Sequence, residues 1–140
     1  MNTLLKLGAI AAFAALSAVP ASAQDATSAA GIFSADQATR GMDAFEMNCA
    51  ACHASNLNGT PGGPGIAGSR FKVKWAKKTV GDLYTKIHDT MPAGMGGSLT
   101  ESEYIDIVAY ILSVNKFAPG EAELAVDMDK LNAITIGSAE

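Results

Sequence analysis

Residues 48–56 read NCAACHASN and contain the only two cysteines of the 140-residue chain, together with one of its two histidines. Cys49 and Cys52 are three positions apart, and His53 follows Cys52 directly. Residues three apart lie on the same face of a helical turn, so such a turn would present the two thiols and the imidazole together. The stretch therefore predicts one compact binding site, and its surroundings indicate what binds there.

The chain begins with a segment typical of export. Lys6 is the only charged residue among the first 24, an apolar run occupies residues 7–19, and residues 21–23 read Ala-Ser-Ala, a typical cleavage pattern. We predict a signal peptide over residues 1–23 and a periplasmic location. The apolar run is shorter than the about 20 residues that cross a membrane, so we expect no stable membrane span.

The remainder has the length of one small domain, and only 6% of the chain is aromatic. A small chain with a thin core usually needs a cross-link or a bound cofactor. The formal net charge of −4 at pH 7 excludes a general nucleic-acid binder. Much of the acidity lies near the end of the chain. We therefore predict a domain over residues 24–120 and an acidic C-terminal extension over residues 121–140, packed on the domain or trailing from it.

Four interpretations of the cysteine–histidine stretch compete. A disulfide across two residues would close a very small loop and stabilise little. A thioredoxin-like redox pair expects a βαβ unit, and the flanking sequence does not read as strands. A closed zinc site needs four ligands, which would have to be Cys49, Cys52, His53 and His88. The fourth interpretation is covalent haem, because C-x-x-C-H is the attachment signature of c-type haem, and we favour it. Cys49 and Cys52 would then form the thioethers, and His53 would bind the iron.

A helix is predicted to lead into the cysteines. Ser34 can cap it, with Gln37 three residues later as the partner in a capping box. Gly41, Phe45 and Cys49 fall on one stripe at helical spacing. Gly41 either lets another helix approach closely or is a tolerated surface glycine.

Two further helices are predicted beyond the haem motif. The last one begins at Thr100, which forms a second potential capping box with Glu103, and ends near Asn115. A shorter helix over about residues 80–88 has Thr79 as its expected cap, and it must end before the proline of the next loop.

An iron bound by His53 needs a sixth ligand, and the loop over residues 88–100, HDTMPAGMGGSLT, supplies candidates. Met91 is favoured because the proline after it holds it extended, while Met95 is the second candidate and His88 the third. Glycines in this loop would let its backbone run close to a flat ring; they are Gly94, Gly96 and Gly97.

Other residues suit the surroundings of a haem. The carbonyl of Pro64 can accept a hydrogen bond from the second ring nitrogen of His53. Trp75 either donates its indole N–H to a haem propionate or packs in the core. The G-x-G-x-x-G pattern at residues 63–68 is not interpreted as a dinucleotide site, because no strand precedes it. The stretch RFKVKWAKK is either a solvated loop or a docking patch for an acidic redox partner; its cations are Arg70, Lys72, Lys74, Lys77 and Lys78.

Taken in order, these motifs resemble the class I monohaem cytochromes c, and the match covers most of the chain after residue 23. The motifs are G-x-x-x-F, CAACH, GPGIAG, MPAGMGGSL and EYIDIVAYIL. The sequence is most similar to small periplasmic cytochromes and haem domains that accompany quinoprotein dehydrogenases. One departure is Ile66, where the family often has leucine. The resemblance implies an all-α fold of three to four main helices around one covalent haem, with long Gly/Pro loops.

The resemblance also implies roles for individual residues. Met91 would be the axial methionine, the Pro64 carbonyl would bind the proximal histidine, and the first and last helices would cross at Gly41, Phe45 and Tyr110. It implies a one-electron carrier rather than an enzyme, with haem c as its cofactor and redox proteins of a dehydrogenase or respiratory system as partners. The alternative is a haem subunit, sensor or enzyme with an open sixth position on the iron.

Overall fold

The structure is a computed structural model that describes residues 29–137, and the predicted signal peptide over residues 1–23 lies outside these residues. The described chain is mostly helical, which confirms the predicted fold class. None of its helices is long and apolar enough to cross a membrane. In chain order the elements of this part are α1 (Ala35–Asn48), α2 (Ala50–His53), β1 (Gly59–Thr60), β2 (Gly63–Pro64), α3 (Gly68–Trp75), α4 (Val80–Thr90), α5 (Glu101–Val114) and α6 (Met128–Ala133).

Helices α1 and α5 cross at Gly41, as the sequence predicted. A Cβ atom at Gly41 would overlap the backbone carbonyl of Asp106 in α5 and would lie 3.0 Å from Cβ of Tyr110. One turn further along α1, the ring of Phe45 packs on that of Tyr110, with 5.4 Å between the centroids. The close approach of two backbones therefore requires glycine here, and the surface interpretation of Gly41 is wrong.

Side-chain caps begin α4 and α5 where the sequence predicted. Thr79 accepts a hydrogen bond from the backbone N–H of Asp82, whose carboxylate accepts from the N–H of Thr79. Thr100 and Glu103 form the same reciprocal pair at the start of α5, which ends at Asn115. Each box satisfies two backbone donors that the first helical turn leaves without partners.

The capping box predicted at the start of α1 is only half formed. The hydroxyl of Ser34 accepts from the N–H of Gln37 at 3.0 Å. The side chain of Gln37 does not return to Ser34, because both ends of its amide bond the backbone of Leu124, each at 2.8 Å. Gln37 is buried, and it satisfies a buried backbone donor and acceptor of a distant segment.

The sequence analysis missed helix α3 and the break between α1 and α2. The loop interpretation of RFKVKWAKK is wrong over α3, because Phe71 and Trp75, one turn apart, are both buried and fasten one helical face to the core. The helix that leads into the cysteines is interrupted at Cys49, which ends α1 and precedes the short turn α2.

The described part of the acidic extension, residues 121–137, packs on the domain. Leu131 and Ile136 are fully buried, and Leu124 is nearly so. The N–H of Ile136 donates to the carbonyl of Lys78 at 2.9 Å, just before α4. Residues of the extension therefore belong to the same apolar core as the helices.

Arg40 of α1 joins α5 to the extension. Its Nε atom lies 2.9 Å from Oδ2 of the buried Asp106, and its Nη1 atom lies 3.0 Å from Oε1 of Glu123. These hydrogen bonds raise the pKa of Arg40 and lower that of Glu123, in each case chiefly through the bond between the two.

Candidate haem site

One cleft brings together most of the residues that the sequence predicted for the site. It contains about 950 Å³ of empty space, part of it open to solvent. Cys49, Cys52, His53, Trp75 and Met91 all line it. The rest of the lining is largely apolar and includes Phe45, Pro64, Ile66, Phe71, Leu83, Ile87, Ile107 and Ile111.

The imidazole of His53 is held in one orientation. Its Nδ1 atom lies 2.7 Å from the carbonyl oxygen of Pro64, so the hydrogen bond that the sequence predicted is present. A carbonyl only accepts, so Nδ1 carries the proton of this bond, and Nε2 is the ring nitrogen left for a metal. An imidazole whose second nitrogen is bonded in this way is typical of metal ligands.

The short hairpin lies against the turn that carries the cysteines. The hydroxyl of Thr60 in β1 donates to the carbonyl of Cys52 at 2.7 Å. A Cβ atom at Gly63 in β2 would lie 2.9 Å from the same carbonyl, so a larger residue would push the strand away. Pro64 is the last residue of β2, so the hairpin holds the carbonyl of Pro64 in place against the turn that carries His53.

Asn115 fixes the far side of the Pro64 loop. It is buried, and its amide donates to the carbonyl of Ile66 at 3.2 Å and accepts from the N–H of Gly68 at 2.9 Å. The sequence analysis had identified Asn115 only as the end of α5. Its second function depends on residues almost fifty positions away, for which the sequence has no local signal.

The two cysteines of the motif differ in exposure. Cys49 is half-buried and Cys52 is exposed. Burial, with a smaller effect from Cys52, raises the pKa of the Cys49 thiol to about 11. Before haem is attached, the Cys49 thiol is therefore protonated near neutral pH.

The other interpretations of the motif find little support. His88 does not line the cleft, so it does not complete a zinc site with the cysteines and His53. Across residues 29–137, no cluster of three or more His, Cys, Asp or Glu side chains is placed to hold a metal ion. The same residues contain no βαβ unit that would suit a thioredoxin-like pair.

Of the three candidates for a sixth ligand, Met91 alone lines the cleft. Its backbone is extended, as expected for a residue before proline. Met95 is 59% exposed, and the imidazole of His88 is bonded to Asp89 at 2.7 Å. The glycines of this loop do not line the cleft, and Gly96 instead packs on the backbone of Asp89 at the end of α4.

Two contributors to the site were not predicted. Lys86 of α4 lines the cleft together with Lys74 of α3. Tyr104, recognised in the sequence only as part of an apolar stripe, donates its hydroxyl proton to the carbonyl of Met91 at 2.8 Å. No sequence pattern indicates that bond, because it joins the loop to a different helix.

The basic stretch lies beside the cleft. The ammonium groups of Lys74 and Lys78 lie 5.3 Å and 5.2 Å from the centroid of the Trp75 ring. Val73, between Lys72 and Lys74 in the sequence, is 90% exposed. In the described chain, none of the basic residues from 70 to 78 forms an ion pair.

The fold and the cleft define a small cytochrome c. A family model described as "Cytochrome C oxidase, cbb3-type, subunit III" matches residues 36–111, which is more than half of the chain. The chain belongs to this cytochrome c family, which confirms the resemblance drawn from the sequence. Covalent haem c, with its iron, is its cofactor, and the lining of the cleft fits that group, with two thiols, an imidazole and apolar walls. The protein is therefore an electron-transfer haem protein.

Among solved structures, the chain is similar to the sulfane dehydrogenase SoxCD from Paracoccus pantotrophus, with a TM-score of 0.53 and 23% sequence identity. The match covers 71% of this chain and 52% of that chain, so this chain corresponds to about half of that chain's length. At this identity the likeness concerns the fold. A comparison with curated proteins found no match.

Proposed function

We propose that this protein is a periplasmic one-electron carrier. Cys49 and Cys52 would hold its haem through thioether bonds, and His53 and Met91 would bind the iron. The observation that carries this proposal is the convergence of two thiols, an oriented imidazole and one methionine on a single cleft. Haem c, when bound, supplies reversible one-electron exchange at its iron.

The residues of the chain prepare the site for electron exchange rather than for substrate chemistry. The carbonyl of Pro64 keeps the proton of His53 on Nδ1, which orients Nε2 and makes it a stronger donor. Met91, which lines the same cleft, would also bind the iron, and this would leave no coordination position for a substrate, so the proposed function is not that of an enzyme. A methionine ligand and an apolar lining both favour a raised reduction potential.

The cleft also offers groups for the carboxylates of the haem. Trp75 lines it and is almost fully buried, and its indole N–H is the donor that we assign to a propionate. Lys74 and Lys86 line the same cleft and supply positive charge there. A buried carboxylate needs such partners, because an unpaired buried charge is strongly destabilising.

Electrons are exchanged where the basic stretch adjoins the cleft. Arg70, Val73 and Lys74 share a second groove with Pro64, whose carbonyl is bonded to His53. Unpaired cations around an exposed apolar residue suit a partner with an acidic rim, because complementary charges steer weak, rapid encounters. A dehydrogenase or a respiratory protein is the partner class we infer, and the similarity to a dehydrogenase structure supports it.

Optical spectra of haem-loaded protein test the ligand assignment. Wild type, Met91→Ala and the matched control Met95→Ala are compared in both oxidation states, with and without carbon monoxide. We expect wild type and Met95→Ala to be low-spin and inert to carbon monoxide, and Met91→Ala to bind it. If the wild type binds carbon monoxide readily, the carrier proposal is wrong, and a sensor or an enzyme with an open iron position replaces it.

Charge reversal tests the exchange surface. Lys74→Glu together with Lys77→Glu should slow oxidation by ferricyanide, an anionic reagent, and should weaken the dependence of that rate on salt. Lys130→Glu, which reverses an exposed lysine of α6, is the control. Equal rates for both variants would rule out this surface as the point of exchange.

A further inference from the structure

The hydroxyl of Tyr104 bonds both ends of the loop that carries Met91. It donates to the carbonyl of Met91 at 2.8 Å and accepts from the N–H of Leu99 at 3.4 Å. Tyr104 lies in the first turn of α5 and is fully buried. One side-chain oxygen therefore ties the start and the end of the segment 91–99 to the last long helix.

The remaining hydrogen bonds of this loop come from its own backbone and from the end of α4. The N–H of Met91 donates to Ile87, the N–H of Met95 to Pro92, and the N–H of Gly97 to His88. Among the described residues, Tyr104 is the only one outside the loop whose side chain forms a hydrogen bond with residues 91–99. Without it, no hydrogen bond would tie the loop to α5.

A bond to the carbonyl of Met91 controls where its side chain points. The proline after Met91 restricts its backbone to extended conformations, so the remaining freedom is rotation of the whole segment relative to the core. Holding the carbonyl removes that freedom. The thioether then stays in the cleft without any direct contact with Tyr104 being required.

We propose that Tyr104 is a positioning residue that keeps the sixth iron position closed by holding Met91 in the cleft. This inference rests on the proposed function of Met91 as the axial ligand. The ring of Tyr104 fills core volume, and a phenylalanine would fill it equally well. The hydroxyl is the part that acts on the loop. Without it, the carbonyl of Met91 would lack a donor, and this would destabilise the present position of the loop.

Tyr104→Phe removes this bond and leaves the ring. The matched control is Tyr110→Phe, which removes a hydroxyl that forms no hydrogen bond with any described residue from a ring of the same helix. Both variants are prepared with haem bound. The readouts are the affinity of the oxidised protein for imidazole and the long-wavelength absorption band of the iron–thioether bond.

We expect Tyr104→Phe to bind imidazole about five- to tenfold more tightly than wild type, the factor that corresponds to losing one hydrogen bond. The thioether band should weaken with it, and Tyr110→Phe should match wild type. Equal imidazole affinities for Tyr104→Phe and wild type would overturn the inference, even if the variant is less stable to urea.

Met91→Ala separates this inference from the proposal on which it rests. If Met91→Ala opens the iron and Tyr104→Phe does not, the ligand assignment stands and the role of Tyr104 is wrong. If Met91→Ala leaves ligand binding unchanged, both are wrong. Should Tyr104→Phe fail to fold, proton NMR of the reduced wild type decides, since a slowly exchanging Tyr104 hydroxyl proton close to the Met91–Pro92 segment is required and its absence overturns the proposal.

Discussion

Replacing Gly41 by alanine tests the helix crossing that supports the haem motif. The new Cβ atom would overlap the carbonyl oxygen of Asp106, so α1 and α5 would have to move apart. The obstacle is backbone, which no rotamer change can move. The separation would also loosen the packing of Phe45 on Tyr110.

The expected change in the free energy of unfolding of Gly41→Ala is the difference between two opposing effects. Overpacking a well-packed core costs about 1–3 kcal/mol and occasionally more, and an overlap with backbone belongs at or above the top of that range. Alanine in place of glycine favours the helix itself by up to about 1 kcal/mol. We therefore expect Gly41→Ala to lower the free energy of unfolding by about 2–4 kcal/mol.

Urea unfolding of the haem-loaded protein, followed by circular dichroism, measures this change through the shift in midpoint. Gly81→Ala in α4 is the matched control, because the new Cβ atom there mainly meets the exposed side chain of Asn132, which can rotate away. Its free energy of unfolding should change by less than about 1 kcal/mol. A Gly41→Ala protein with the midpoint of wild type would refute the close approach of α1 and α5.

Three further changes probe the supports of the fold. Asn115→Ala should lower the free energy of unfolding by about 2 kcal/mol, because it leaves backbone groups of the Pro64 loop without partners, and an unchanged urea midpoint would contradict this. Leu131→Ala should cost about 2–5 kcal/mol in the same assay, whereas the more exposed Val126→Ala should cost far less; equal losses would show that the extension is not part of the core. The Glu123–Arg40 pair stabilises the fold above the ordinary glutamate pKa of 4.5 and is lost as the pH falls through the lowered value. In a plot of melting temperature against pH, Glu123→Gln should therefore show a smaller fall on the acid side than wild type. Parallel curves for the two proteins would disprove the contribution of the Glu123–Arg40 pair to stability.

Features that depend on near neighbours were predictable from the sequence. The caps at Thr79 and Thr100 involve residues three positions apart, and the His53–Pro64 bond joins two motifs of known order. The crossing at Gly41 followed from the stripes of two strongly periodic helices and from the family resemblance. In each case the local pattern and the tertiary structure favour the same conformation.

Features set by distant partners were not predictable. Gln37 has the sequence position of a capping-box residue, but its amide bonds Leu124, 87 positions later. Helix α3 has so many cations that its sequence suggests a solvated loop, and only the burial of Phe71 and Trp75 makes it a core element. In the sequence, Tyr104 is one tyrosine on an apolar stripe. Only the tertiary structure shows that its hydroxyl bonds the carbonyl of Met91 in the loop.

The partners of α1 lie far along the chain, and this has a consequence for the order of folding. Arg40 bonds Asp106, which follows 66 positions later, and Gln37 bonds the backbone of Leu124, 87 positions later. Helical proteins usually fold rapidly because their contacts are local, whereas contacts at such separation require a long loop to close first. Docking of α1 on α5 therefore requires the chain between them to close into a long loop. Before α5 and the segment after it pack on α1, Cys49 and Cys52 lack these neighbours, and we expect their thiols to be accessible to other molecules.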